Sequence, residues 1–142
     1  MALDAQKALL DALKTRLDAD PLWGTRIFFE DVPPLTAYPY LWITHSAGVD
    51  MEVNKRSNPV YIMGLQGVTD NQNQAFECKE RVAVLLDDEG EQDVGASVSG
   101  DADWAIKTIS RTEDIYFVEL ADRAKRIYRI GNLYEFIMER KT

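Results

Sequence analysis

The chain has 142 residues, a formal net charge of −8 and 46% apolar residues, including five Phe, six Tyr and three Trp. A chain of this length buries a core without staples, and this apolar content excludes disorder as the main state. With one Cys (Cys78) and one His (His45), an internal disulfide and a thiolate metal cage are excluded, and most metal and nucleophile chemistry with them.

Leu3, Leu10, Leu13 and Leu17 form the stripe of an amphipathic helix over residues 3–19, which Pro21 stops. Residues 26–29 (Arg-Ile-Phe-Phe) read as a short strand, and Pro33-Pro34 forces an extended linker after it. Residues 38–47 make the strongest strand, rich in aromatic and β-branched side chains. The polar stretch 48–58 reads as a long hairpin loop, and residues 60–68 as the return strand. Thr69-Asp70-Asn71-Gln72 has the spacing of a capping box. The helix that follows carries Ala75, Cys78, Val82, Leu85 and Leu86 on one face. After an acidic Gly/Ser loop, residues 104–110 form a strand, 111–122 read ambiguously, with a strand and a turn as the reading offered, and 127–138 are a long final strand. Gly131-Asn132 marks a bulge or bend in that last strand.

The expected architecture is a single α+β domain over residues 1–142, in the order αβββαββ, with a mostly antiparallel sheet and two helices packed on one face. Alternation places Tyr40 and Trp42 on one side of their strand and Leu41 and Ile43 on the other. Tyr128, Ile130, Tyr134, Phe136 and Met138 likewise share one face, and Ile127, Leu133 and Ile137 the opposite one. Two helices cover one face only, and a free face of an antiparallel sheet is normally polar. The second apolar face therefore calls for a cover, either a long loop of the same chain or, as the favoured reading, another subunit.

Seven carboxylates between Asp87 and Asp103, with no Lys or Arg among them, carry most of the net charge. This stretch is a solvated acidic loop, or a surface that faces a basic partner or repels nucleic acid. Basic residues gather near the end of the sequence, and alternation sets Arg129 among apolar neighbours. The overall sign speaks against a nucleic-acid groove.

No catalytic constellation emerges. His45 has no evident carboxylate partner and reads as a surface or edge residue. Cys78 sits in the buried stripe of its helix and reads as a small core hydrophobe. Gly95-Ala96-Ser97-Val98-Ser99-Gly100 resembles a nucleophile elbow in spacing, but it lies in the acidic loop with its only His upstream. A calcium loop begun at Asp87 places Gly90 at position 4 and Val98 at position 12, against the pattern of an EF-hand. Nothing implies a cofactor or a metal. The longest aliphatic run, residues 82–86, is far short of the ~20 residues that span a bilayer. Asp4 precedes any apolar stretch, unlike a signal peptide.

The layout as a whole resembles the tail-completion or tail-terminator proteins of long-tailed bacteriophages and phage-like particles. The residues that carry the resemblance are the N-terminal helix, the approach Val32-Pro33-Pro34, the segment Tyr38-Pro39-Tyr40-Leu41-Trp42-Ile43, the helix from Ala75 to Leu86 with its acidic end, and the closing strand to Met138. The resemblance implies a non-enzymatic virion protein forming a homo-oligomeric ring, commonly hexameric. Such a ring caps the tail tube, stops its polymerisation and offers a joining surface to a neck or head-completion protein. Its partners are other copies of itself, the tail tube protein and the neck protein, with DNA only as passing cargo and no membrane. Its place is the virion at the tail–neck junction, and the host cytoplasm during assembly. Candidate partner contacts are Lys55 and Arg56 at the hairpin, and Asp87, Asp88, Glu89, Glu91 and Asp93 in the acidic loop, which would line a DNA channel by repulsion. Two alternatives remain open: a head-completion or neck adaptor, and a cytosolic sheet-mediated dimer whose Trp42 and Trp104 line a small-ligand pocket.

Overall fold

Residues 5–18, 20–53, 56–86, 104–122 and 125–140 are described by the computed structural model. The first helix, α1 (Ala5–Leu17), buries Ala5, Ala8, Leu9, Ala12, Leu13 and Leu17. Its buried stripe is rotated from the expected one: Leu9 is fully buried and Leu10 only partly. Ala5, Ala8, Leu9, Ala12, Leu13 and Leu17 form the inward stripe, which leaves Leu10 at its flank. Trp23 is fully buried and its indole Nε1 donates to the Leu17 carbonyl at 2.7 Å, satisfying an acceptor that the end of α1 leaves unpaired. Buried Asp20 accepts from the Leu22 amide and pairs with Arg81 at 2.6 Å. This pair ties the connection after α1 to the second helix.

The remaining elements are β1 (Ile27–Phe29), β2 (Tyr40–Val53), β3 (Arg56–Thr69), α2 (Gln72–Leu86), β4 (Trp104–Asp122) and β5 (Lys125–Arg140). They realise the αβββαββ order and the α+β class expected from the sequence. The sheet runs β1-β2-β3-β5-β4, with β1 parallel to β2 and all other pairs antiparallel. Leu41, Ile43, Met63, Leu65, Tyr134 and Phe136 face the helices and join the α1 and α2 side chains in one core. A Cβ added to Gly67 would overlap Cys78 Cβ, so α2 rests directly on the β3 backbone.

Four local expectations are corrected. Of the expected loop over 48–58, residues 48–53 and 56–58 are strand: β2 and β3 stay in register to Val53 opposite Arg56, past a bulge between His45 and Ala47. Polar composition misled here because this stretch needs no packed neighbour to complete its backbone pairing, and Pro59 falls just outside the part of β3 that pairs with β5. The helix cap lies two residues later than expected. Asn71 Oδ1 accepts the Gln74 amide at 3.2 Å, and the Ala75 amide donates to the Asn71 carbonyl at 3.0 Å. Thr69 instead sits before the cap, with its hydroxyl on Gln74 Oε1. Residues 111–122 continue β4 as one 19-residue strand. Its bulges near Thr108, Glu113 and Asp122 break the period-2 pattern that would have revealed it. Finally, Gly131 is no bulge, since β5 keeps register with β3 through it. It is a point of close approach, where a Cβ would overlap the Leu65 carbonyl oxygen.

Candidate interaction surfaces

The face of the sheet turned away from the helices carries Tyr40, Trp42, Val68, Ile127 and Leu133, as alternation predicted. Part of its cover comes from the same chain. The connection from β1 to β2 folds back so that Val32 borders Tyr40 and Trp42, and Trp42 Nε1 donates to the Glu30 carbonyl at 2.8 Å. Arg129 lies at the centre of this face. Its guanidinium carbon is 4.2 Å from the Phe117 ring centroid and 5.2 Å from that of Trp42, so two aromatic faces from different strands hold one cation. The sequence had set Arg129 among apolar neighbours; the register Val68↔Arg129↔Phe117 supplies them.

Beside this clamp lies a cavity of about 240 Å³, bordered by Glu30, Tyr40, Val68, Glu119 and Ile127. Burial pushes the Tyr40 hydroxyl pKa up, Tyr38 and Glu119 add to the rise, and Arg129 opposes it. Trp42 and Trp104 do not share a pocket: Trp42 is on this outer face, whereas Trp104 is buried in the core beneath the helices. Among the described residues the two side chains are therefore not brought together around a small-ligand pocket. The cavity itself is smaller than the ~300 Å³ at which small-molecule sites usually begin.

The proline-rich connection forms a second surface. The Tyr38–Pro39 peptide is cis, the Pro39 carbonyl accepts Arg26 Nε at 2.9 Å, and the Thr36 hydroxyl donates to the Pro33 carbonyl at 2.5 Å. Tyr38 stacks on Tyr40, which meets Phe28 edge-on. Between Val32 and Tyr40 these residues enclose an open groove of about 530 Å³. Leu35 stands at its rim, fully exposed, with φ at 62°.

The third surface is the far half of β4, an edge strand. Tyr116, Phe117, Val118 and Leu120 are all exposed, Leu120 to 73%. Residues 111–122 read ambiguously in sequence, so this apolar edge was missed. A run of Tyr-Phe-Val with Leu two residues on was its available signal.

The sequence-predicted contacts fare differently. Lys55 and the acidic set Asp87, Asp88, Glu89, Glu91 and Asp93 lie outside the described residues, as does Gly95–Gly100. Arg56 opens β3 opposite Val53, and its side chain lies outside the described set. His45 is exposed on β2, its ring 6.1 Å from that of Tyr61 and its amide donating to Glu30 Oε1. Cys78 is fully buried in α2, and burial first, then Asp20 and Glu77, push its thiol up to about 12. Such a thiol is not a nucleophile near neutral pH. Among the described residues no group of three or more His, Cys, Asp or Glu could hold a metal ion, and no helix is long and apolar enough to cross a membrane.

Neither a protein-family model nor a curated protein matches the chain. A solved structure, "Virion of native gene transfer agent (GTA) particle", contains a chain that superposes with a TM-score of 0.68 over 97% of this chain and 99% of that one. The two chains share a fold. Their sequence identity is 17%, so the likeness rests on the arrangement of the elements.

Proposed function

We propose that this chain is a structural protein of a phage-like virion, and specifically a tail terminator: a ring-forming subunit that caps the tail tube and receives the neck. The observation that carries the reading is the fold shared end to end with a gene transfer agent virion chain. The three apolar surfaces support it, because a subunit that is complete only in an assembly has reason to expose Leu35, Phe117 and Leu120. In this reading the protein is not an enzyme. Its partners are other copies of itself, the tube protein and a neck protein, and it resides at the tail–neck junction after assembly in the host cytoplasm. The acidic segment with Asp87, Asp88, Glu89, Glu91 and Asp93 lines the channel, keeping passing DNA from adhering. Lys55 and Arg56 at the β2–β3 tip contact the tube.

Native mass spectrometry over a concentration series, with negative-stain images of the same sample, tests the ring. A closed ring is expected, and a dimer that never grows would overturn it in favour of a sheet-paired dimer. Adding the protein to polymerising tail tubes then tests the role. Capped tubes of arrested length are expected, with Lys55→Glu/Arg56→Glu reducing capping. A ring that leaves tube growth untouched but binds the head-side connector would make the chain a neck adaptor instead.

A further inference from the structure

We infer that the outer-face cavity beside Arg129 is a binding site for a small zwitterion of the α-amino-acid class. The site lies within one chain and stands whether or not a ring forms. Its polar end consists of side chains that the chain itself leaves unsatisfied. Arg129 Nε is shielded from water and has no hydrogen-bond partner. Among the described residues the guanidinium makes no ion pair or hydrogen bond, and its contacts are the rings of Trp42 and Phe117. Ring faces stabilise the cation without satisfying its in-plane N–H donors. A desolvated donor with no acceptor is costly and rare in native chains, which points to an acceptor from outside. Glu119 and the Tyr40 hydroxyl border the same cavity and also lack a hydrogen-bond or ion-pair partner among the described residues. Beyond the effects of burial and of Tyr38, Glu119 raises the Tyr40 pKa and Arg129 lowers it, so the three groups lie within electrostatic reach of one another.

The balance of charge decides the class of ligand. Glu30 borders the cavity too, but its Oε1 accepts the His45 amide. That leaves one cation, one uncommitted carboxylate and one hydroxyl. A simple anion would be drawn to Arg129 and repelled by Glu119 and Glu30, and a simple cation would be drawn to Glu119 and repelled by Arg129. A ligand with a carboxylate and an ammonium on the same carbon answers both signs. Its carboxylate meets Arg129 and the Tyr40 hydroxyl, and its ammonium meets Glu119. Val32, Val68 and Ile127 supply apolar walls, which suit a short aliphatic side chain. At about 240 Å³ the cavity is too small for a cofactor and has room for a ligand of this size.

One wall of the cavity is fixed in advance. Glu30 is held at φ 60°, with its carbonyl accepting the Trp42 indole and its carboxylate accepting the His45 amide. A non-glycine residue keeps such a conformation where its surroundings impose it, and such residues cluster at functional sites. Here the constraint carries the chain from β1 to Val32 at the cavity rim, beside Tyr40 and Trp42. A wall ordered before the ligand arrives lowers the entropic cost of binding.

The test titrates L-alanine into the full-length protein, read by Trp fluorescence and by calorimetry. Acetate and methylammonium, at matched ionic strength, serve as probes with one charge each. Trp23 and Trp104 are buried in the core and give a constant background, and a Trp42→Phe chain identifies the signal. Alanine is expected to saturate the site, with acetate and methylammonium each at least roughly tenfold weaker, because each forfeits one charge-assisted contact. Arg129→Gln and Glu119→Gln should each weaken alanine by a similar factor. Circular dichroism and urea unfolding show that the variants are folded; if Arg129→Gln is not, Glu119→Gln, at an exposed position, still carries the test. Acetate that binds as tightly as alanine would overturn the assignment and leave Arg129 as an anion site. Titrations silent in both readouts for all three probes would overturn it as well. So would a double-mutant cycle in which Arg129→Gln and Glu119→Gln lose equal stability and the double variant loses no more, since the two side chains would then pair with each other in solution. None of these outcomes bears on the ring, which native mass spectrometry reads separately.

Discussion

Both faces of the sheet carry large apolar side chains, and they treat them differently. On the helix side, Leu41, Ile43, Met63, Leu65 and Phe136 are almost wholly removed from water, and Gly67 gives up its side chain so that α2 can rest on the strand. On the outer side the cover is partial: a proline-rich connection leans over Tyr40 and Trp42, an arginine fills the space between two aromatic rings, and Phe117 stays half-exposed. Buried area stabilises the fold at roughly 25 cal/mol per Å² wherever it occurs. The outer side therefore contributes less to the stability of one chain. The helix side supplies most of the core.

Mutations separate the two faces. Phe136→Ala on the helix side should lower the unfolding free energy by about 3–5 kcal/mol in urea titrations, because the core cannot collapse around the missing ring. Phe117→Ala, at a half-exposed position outside, should fall well below that range; equal losses would erase the distinction. Paired glycines give the next largest contrast. Gly67→Ala pushes against Cys78 Cβ on a fixed helix and should cost about 1–3 kcal/mol. Gly64→Ala meets chiefly the ends of the Thr44 and Ile115 side chains, which can move aside, and should be milder by the same measurement. Arg129→Ala should cost roughly 0.5–2 kcal/mol and shift the Trp42 fluorescence, since the cation between the rings is lost. Arg129→Lys should recover part of both effects.

Titration sharpens the comparison further. The Cys78 thiol stays protonated in the folded chain up to about 12, against an ordinary value of 9.0. Above pH 9 the unfolded state releases this proton and the folded state does not, so stability should decline as pH rises from 9 toward 12. Cys78→Ala should remove that part of the decline. The smallest effect belongs to Asp114 at the open edge. Its hydrogen bonds from Lys79 and Asn132 hold its carboxyl below the usual carboxylate range. Its contribution is present above that range and lost as pH falls through the lowered value. Asp114→Asn should therefore flatten only the acid limb of the stability profile, and only slightly, because the group is fully exposed and screened.

The element order, both helices and the inward and outward faces of β2 and β5 were legible in the sequence, because each rests on a period of 3.6 or 2 that local side chains display. The isolated apolar environment of Arg129 was legible for the same reason. What the pattern concealed was β4 beyond Ser110. Three bulges shift its alternation, and Arg111, Glu113, Asp114 and Glu119 interrupt its apolar residues. The extent of the β2–β3 hairpin was concealed too, since backbone pairing there proceeds under polar side chains that carry no strand signature.

Sequence alone thus determined which residues could share a face and in what order the elements follow. Only the tertiary structure decided which strands are neighbours. The order β1-β2-β3-β5-β4 brings Trp42, Arg129 and Phe117 together from three strands, and it leaves β4 as an unpaired edge. Both outcomes depend on pairing between segments far apart in the chain. Side-chain periodicity records the face a residue takes within its own strand, and it carries no information about which strand lies alongside.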